Sequence, residues 1–484
     1  MEKNIAYDLI VVGGGIAGLS AAYAALHHTR QAAKPPRVLL LDSAAQWGGK
    51  ISTDRVPQAN GEFVIEGGPD TFLATKPDAK ALCDELGIGD SLQGTNPHQR
   101  NTYVLHNGRL TPLPDGLAMM IPTNFASMAA TRLLSWPQKA RMGLDFVLPP
   151  RPLNGDESLG AFVSRRLGRA AYENLIEPLM SGIYAGDGDR LSLAATFPYL
   201  RDMEIRHGGL VKGALAMKRQ AAASGRAARG SRSAFLTPKT GLAAVVEALL
   251  RDLRSGGADL RLNAAVLRIA HHDSSYLLHL AGGETLTAAA VILATPAYAS
   301  ADILAGLDPA LAGELRSIPY VSTATVSLAY RHEDLPRPLD GYGYVIPRRE
   351  GRQALACTWT STKFPHRAPE GYALLRVFIG RAGQDIAWNE TDLLAVARQE
   401  LVATLGIHAP SFLSRVFVWE KAMPQYNLGH PQRLVNIENA LRAHPGLALA
   451  GNGYRGIGIP DCIRSGQLAV EQVLPRLPET MLTS

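Results

Sequence analysis

The sequence predicts an α/β protein: a Rossmann-like nucleotide-binding domain, an α+β substrate domain and an inserted, mainly helical region. Three observations carry this. First, the apolar strand pattern Tyr7–Val12 runs directly into the glycine turn Gly13-Gly14-Gly15-Ile16-Ala17-Gly18. A helix pattern over Ile16–Leu26 and a second apolar strand over Arg37–Leu41 complete a strand–helix–strand unit. Second, strand signals fade between about residues 91 and 209, where the helical stretches Leu117–Leu134, Trp136–Val147 and Leu159–Leu167 alternate with proline-rich joints. Third, strand and helix alternate again from about residue 297 to 444.

A chain of 484 residues is long enough for two or three domains. The expected division gives residues 1–90, 210–296 and 445–484 to one discontinuous nucleotide-binding domain. Residues 297–444 then form the substrate domain, and 91–209 the helical insertion. Gly241–Arg254 reads as an amphipathic helix, and Leu260–Ile269, Tyr276–Leu280 and Ala290–Ala294 as strands rejoining the first domain. Ala324–Tyr330, Ala354–Thr360 and Leu374–Ile379 read as strands of the second. Leu447–Leu474 is a strand, a glycine turn and a closing helix. The polar stretch 27–36 and the Ser/Gly/Arg/Ala stretch Ala223–Ser233 read as surface loops, the latter flexible.

Composition narrows the function. Hydrophobic residues make up 46% and charged residues 19%, so a large buried core is expected. Cys83, Cys357 and Cys462 are scattered without CxxC spacing, which argues against a disulfide framework or a zinc site and fits a reducing cytoplasm. The net charge of +6 is spread among acids rather than gathered in a stripe, so an anionic small molecule or an acidic lipid surface suits it better than nucleic acid. No secretion signal opens the sequence, and no long apolar run is present. Gly116–Leu134, with Met119, Met120, Phe125 and Arg132, reads as a core or channel helix, with a helix lying on a membrane as the alternative.

The glycine turn carries chemistry. Gly13 allows the tight turn, Gly15 lets backbone approach a pyrophosphate, and Gly18 lets the helix pack on the strand. Free N–H groups of the helix start, around Gly14, Ile16 and Ala17, then face the phosphates. The strand Leu39-Leu40-Leu41-Asp42 ends in an acid roughly 20 residues further on, the spacing of a carboxylate that grips a ribose. A second glycine pair, Gly48-Gly49-Lys50-Ile51, follows where nicotinamide domains usually enter another helix. Backbone running beside a long, extended cofactor favours FAD.

With these residues in hand, the sequence resembles the flavin-containing porphyrinogen oxidases of the monoamine-oxidase-like flavoprotein superfamily. The likeness runs through Glu66-Gly67-Gly68-Pro69-Asp70-Thr71-Phe72, Leu175–Leu179 with Gly182–Asp187, and Val345–Glu350. It continues through Trp419, Ala422–Tyr426 and Gly456–Ile463. Leu113–Gly116, Trp136 and Leu148–Arg151 are most similar to the bacterial branch acting on coproporphyrinogen III. Two positions depart: Gly67 stands where the family carries an arginine, and Thr102, with Arg100 two places earlier, where relatives acting on protoporphyrinogen IX carry another.

The resemblance implies non-covalent FAD, held by Gly13–Gly18, Leu41 and Asp42 at the phosphates and ribose and by Val266 at the adenine. Gly48–Ile51, Gly68, Pro69, Asp70, Thr71, Trp419, Ile457, Gly458 and Ile459 would face the flavin. It implies a porphyrinogen substrate, coproporphyrinogen III first with protoporphyrinogen IX as the alternative, dioxygen as acceptor, hydrogen peroxide as product and a place in haem biosynthesis, with the porphyrin handed to the next enzyme of that pathway. Cytoplasmic location with peripheral contact at the inner face of the membrane goes with it. No side chain stands out as a catalytic base and no metal set is present, which suits a reaction whose hydride goes to the flavin. Lys76, Arg100, Arg348 and Arg349 are the candidate anchors for substrate propionates. An amine oxidase or carotenoid desaturase of the same superfamily, and a partner-binding protein of this fold without flavin, remain open; covalent attachment of the flavin and its absence from the purified protein would mark the first and last of these.

Overall fold

The computed structural model describes residues 7–28, 35–118, 121–152, 155–223 and 233–473. The expected loop at 27–36 and that at Ala223–Ser233 fall mostly outside the described residues, as do Met119 and Met120. The βαβ unit forms as predicted: β1 (Tyr7–Val12), α1 (Ile16–His28) and β2 (Val38–Leu41). β1 and β2 are parallel and buried on both faces, as their unbroken apolar text requires. They lie within a seven-stranded sheet ordered Asp259–Arg261, β2, β1, Thr285–Leu293, Ser275–Leu280 and Val266–His272, with Leu447–Leu449 joined to Thr285–Leu293. One face packs on α1, Ala243–Ser255 and Ile459–Val473. The other packs on Ala297–Leu304, Pro309–Arg316 and His430–Leu441.

A second seven-stranded sheet carries the order Leu413–Pro424, Tyr320–Arg331, Tyr372–Ile379, Ala354–Trp359, Gly341–Val345, Asn101–His106 and Arg109–Pro112. A helical layer spanning Leu159–Leu167, Glu177–Tyr184, Pro198–His207 and the start of Leu210–Ala223 has its own apolar core.

Several boundaries differ from expectation. Asn101–Pro112 was assigned to the helical insertion but is a hairpin closing the second sheet, where Gly343, Tyr344 and Val345 pair in parallel with Thr102, Tyr103 and Val104. Leu210, Val211 and Ala214 belong to the helical core rather than the nucleotide domain. The helices of 297–316 and 430–441 pack on the nucleotide sheet rather than in the substrate domain. Leu260–Ile269 is two strands, parted by a turn with Asn263 at φ +54°. The expected helix over Leu117–Leu134 is absent. Leu117–Ala118 pairs with Ile121–Pro122, and only Phe125–Ala130 is helical. Pro122 cannot donate within a helix, and the Asn124 side chain accepts from Ser127 N–H at 3.2 Å, starting a new helix there. The hairpin Thr53–Gln58 with Gly61–Glu66 and the long strand Leu413–Pro424 were not foreseen.

Candidate functional site

The glycine turn is shaped by close backbone approach. Gly13 sits at φ +110°, and a Cβ there would lie 2.8 Å from the Ala294 carbonyl oxygen. A Cβ on Gly18 would fall 1.8 Å from Gly13 O, so α1 can lie on β1 only with glycine at this place. Gly15 is different: a Cβ there would meet nothing nearer than Gly49 Cα at 4.0 Å. That space opens beside the first turn of α1, where the earliest intrahelical bond is Leu19 N–H to Gly15 O. The N–H groups of Ile16, Ala17 and Gly18 therefore have no intrahelical acceptor, the arrangement by which a helix start receives an anion. The cradle fits a pyrophosphate.

The second glycine pair lies against the first. Gly48 N–H donates to Gly14 O at 2.9 Å, Gly15 and Gly48 form an isolated parallel bridge, and Gly49 takes φ +57° opposite Gly15. Asp42 closes this corner. Its carboxylate accepts from Gly14 N–H at 2.5 Å and from Ala44 N–H at 2.7 Å, while Leu41 O accepts from Gly13 N–H at 2.7 Å. Asp42 O in turn accepts from Ala264 N–H at 2.9 Å, which brings Val266 to the same end of the sheet.

The segment from Glu66 to Thr71 lies next to Gly48–Ile51. A Cβ on Gly68 would fall 1.8 Å from Lys50 O and 3.6 Å from the Trp419 ring. Gly67 O accepts three hydrogen bonds: from Thr325 Oγ1 at 2.7 Å, Trp419 Nε1 at 2.9 Å and Arg376 Nη2 at 3.1 Å. Arg376 also donates to Gly68 O. A side chain at position 67 would strike the Phe417 ring, 2.7 Å from its Cβ, so the arginine expected there from the resemblance has no room. A guanidinium reaches this turn from Tyr372–Ile379 instead. Beneath the turn, Glu66 pairs with Arg367 at 2.7 Å and Asp70 with Lys363 at 3.0 Å. Burial alone would raise the Asp70 carboxyl, but the charges of Lys363 and Arg376 outweigh it and hold it at about 2.

Lys50 is a half-buried cation at the centre. Its ammonium donates to Ala422 O and approaches Asn452 Oδ1 at 3.5 Å, and burial pulls it down to about 8. The C-terminal motif arrives beside it. Gly456 is at φ +85°, Gly458 N–H donates to Asp461 Oδ2 at 3.2 Å, and the helix begins at Ile459. Ile457 packs against the helical core and Ile459 against the nucleotide core, so this turn marks where the two meet.

The four candidate anchors have separate fates. Lys76 pairs with both oxygens of Asp461, at 2.6 and 2.7 Å, next to the C-terminal motif. Arg348 is spent on structure: its backbone N–H donates to Glu177, and its guanidinium to the carbonyls of Ala382 and Gly186. Arg349 lies against His106 at 2.5 Å, and Arg100 donates to Pro97 O at 2.9 Å. The structure does not gather these four. Arg348 instead joins Glu177 and Arg381 in a buried network that ties Leu175–Asp187 to Val345–Glu350, and Gln425 donates to Tyr184 O at 2.9 Å. No local sequence pattern marks Lys363 or Arg376: Arg376 gains its neighbours through sheet pairing, and Lys363 from the short helix Thr360–Lys363 that follows Ala354–Trp359.

A glycine cradle at the ends of the parallel strands of this mixed sheet, with a second glycine pair lying along it, defines a flavoprotein of the Rossmann type. Residues 16–474 match the family described as flavin containing amine oxidoreductase, and the chain belongs to this family. It is 37% identical to the coproporphyrinogen III oxidase of Bacillus subtilis over 97% of this chain and 98% of that one. The coproporphyrinogen III oxidase of Propionibacterium freudenreichii is 34% identical over 96% and 90%. A solved structure from Exiguobacterium, described as a candidate protoporphyrinogen oxidase, superposes with a TM-score of 0.82 at 32% identity, covering 96% of this chain and 98% of that one. The resemblance read from the motifs is borne out, and the protein is an FAD-dependent oxidoreductase. Among the described residues no helix is long and apolar enough to cross a membrane.

Proposed function

We propose that this enzyme oxidises coproporphyrinogen III to coproporphyrin III in haem biosynthesis. The observation that carries this is likeness along nearly the whole length to enzymes of that name, at up to 37% identity. The convergence of Leu175–Asp187, Val345–Glu350 and Gln425 on one buried network supports it, since these motifs are the ones that set the porphyrinogen oxidases apart from amine oxidases. When bound, FAD supplies the hydride acceptor and passes the electrons to dioxygen, giving hydrogen peroxide.

In this reading, Gly13–Gly18 and Asp42 hold the phosphates and ribose, and Val266 lies at the adenine. Gly48–Ile51, Gly68–Thr71, Trp419 and Ile457–Ile459 enclose the ring. Trp419 and Arg376 fix the Gly67–Gly68 turn through its carbonyls, so the wall beside the ring is set before substrate enters. Cys462 is buried and its thiol is pushed up to about 12, which leaves it a poor nucleophile and supports non-covalent FAD. The test is parallel turnover of coproporphyrinogen III and protoporphyrinogen IX by the purified yellow protein, followed by porphyrin fluorescence and peroxide release. The expected result is a kcat/KM for coproporphyrinogen III at least about 10-fold the higher. A preference for protoporphyrinogen IX overturns the substrate, and turnover of neither overturns the reading.

Peripheral contact of this cytoplasmic enzyme with an anionic membrane has its own support. Phe125 (56% exposed), Leu144 (46%), Trp136 (71%) and Val147 (75%) lie on neighbouring short elements. Lys139 stands over the Trp136 ring at 4.5 Å, and Arg132 is exposed nearby. Apolar side chains rimmed by cations suit an acidic lipid interface. Sedimentation with phosphatidylglycerol vesicles, lost in Trp136→Ser, is the check.

A further inference from the structure

We propose that Lys363 binds a carboxylate of the porphyrinogen and is a specificity-determining residue of this enzyme. The inference rests on the reading that Gly68–Thr71 borders the flavin. Five charged side chains meet beneath that segment: Glu66 and Asp70 against Lys363, Arg367 and Arg376. Three cations face two carboxylates, so the cluster carries a net positive charge. Arg367 and Arg376 are 1% and 3% exposed and Glu66 is 4%, and Arg367 is bound to Glu66 and Thr237 while Arg376 is bound to backbone carbonyls. The excess charge can reach a ligand only at the rim, where the side chains of Lys363 and Asp70 are 15% and 19% exposed.

The Lys363 ammonium spends one hydrogen bond on Asp70, and an ammonium has three to give. It stands over two aromatic rings, at 5.2 Å from the Phe364 centroid and 5.8 Å from that of Phe235. Phe235 is 40% exposed and pairs across strands with Leu73, which is 38% exposed and follows Thr71 by two residues. An uncovered apolar shelf beside a cation, at the end of the flavin-facing segment, matches a ligand with a broad apolar ring and carboxylates at its edge. Asp70 stays ionised in the presence of Lys363 and Arg376, and its hydrogen bond holds the ammonium in place.

The test uses the FAD-loaded enzyme and the variants Lys363→Met and Lys363→Arg. Binding of coproporphyrin III is read by fluorescence titration, and KM and kcat for coproporphyrinogen III are measured alongside the flavin absorption spectrum. The expected result for Lys363→Met is binding weakened at least about 10-fold and KM raised to match, with kcat and the flavin spectrum little changed. Lys363→Arg restores most of the affinity. Coproporphyrin bound equally well by wild type and Lys363→Met overturns the assignment. A change of kcat and flavin spectrum without a change of affinity does so too, since it marks Lys363 as a support for Asp70 alone. A wild-type enzyme that binds no coproporphyrin refutes the substrate reading itself, an outcome distinct from both.

Discussion

The glycine cradle and the charged floor under Gly67–Thr71 both fix backbone at the proposed FAD site, and they do so by opposite means. In the cradle, side chains are absent: Gly13, Gly18 and Gly68 lie where a Cβ would fall within 2.8, 1.8 and 1.8 Å of a carbonyl oxygen. The floor is made of two long polar side chains, Arg367 and Arg376, buried to satisfy carbonyls and carboxylates. A cradle built by omission is encoded within a few consecutive residues. A floor built from guanidinium groups needs residues separated by some 300 positions, as Arg367 and Glu66 are.

The largest effect should come from filling Gly15, the glycine of the Gly13–Gly18 turn that has room. Gly15→Val leaves the fold intact, because a Cβ there meets nothing nearer than 4.0 Å, but it occupies the opening at the start of α1. The expected protein elutes and unfolds as wild type yet is colourless, with FAD affinity down by about 100-fold or more by flavin fluorescence titration. Gly18→Val should instead fail to fold, since its Cβ has no place. A yellow Gly15→Val protein breaks the idea that the opening serves the pyrophosphate.

The contrast explains what the sequence discloses. Gly13–Gly18, Asp42 and Gly48–Gly49 were legible because spacing alone encodes a turn, a helix start and a strand end. The helix over Leu159–Leu167 was legible from its apolar period, and Ser158 caps it by accepting from Ala161 N–H at 3.2 Å. Apolar content over Leu117–Leu134 misled, because Pro122 and Asn124 override periodicity locally. Arg348 and Arg349 look like an anchoring pair in sequence; in space one is consumed by Glu177 and backbone carbonyls, and the other lies by His106. Lys363 and Arg376 carry no local signal. Arg376 takes its place from the register that sets Thr358 opposite it, and Lys363 from the short helix Thr360–Lys363 that follows the end of that strand.

A smaller effect tests the floor. Arg367→Met removes the partner of Glu66, whose carboxylate also accepts from Leu242 N–H at 2.8 Å and Thr53 Oγ1 at 2.6 Å. A buried carboxylate stripped of its guanidinium should cost about 3–5 kcal/mol of stability in urea titration. The double variant Arg367→Met with Glu66→Gln should recover part of that loss, because no unpaired charge remains. Full additivity of the two changes would show that the floor works by packing and not by charge.

The smallest effect concerns the joint between these regions and the C-terminal motif. His430 is fully buried and stacks on Tyr426 at 4.3 Å, and its Nε2–H donates to Tyr454 O at 2.9 Å. Among the described residues Nδ1 has no partner, so a second proton would be buried without an acceptor, and burial brings the group down to about 4. The folded state thus binds fewer protons than the unfolded chain between pH 4 and the ordinary value of 6.5. Stability from this group is complete above 6.5 and is lost as pH falls toward 4. Between pH 7 and pH 5 the loss should be about 2 kcal/mol, read from urea midpoints. His366, likewise drawn down to about 4 by burial, adds a second contribution of the same sign. His430→Gln should therefore flatten the slope without abolishing it, since an amide can donate to Tyr454 O but takes up no proton. An unchanged slope would mean that the His430 ring can open to solvent, and that the joint is held by the Tyr426 contacts rather than by this buried imidazole.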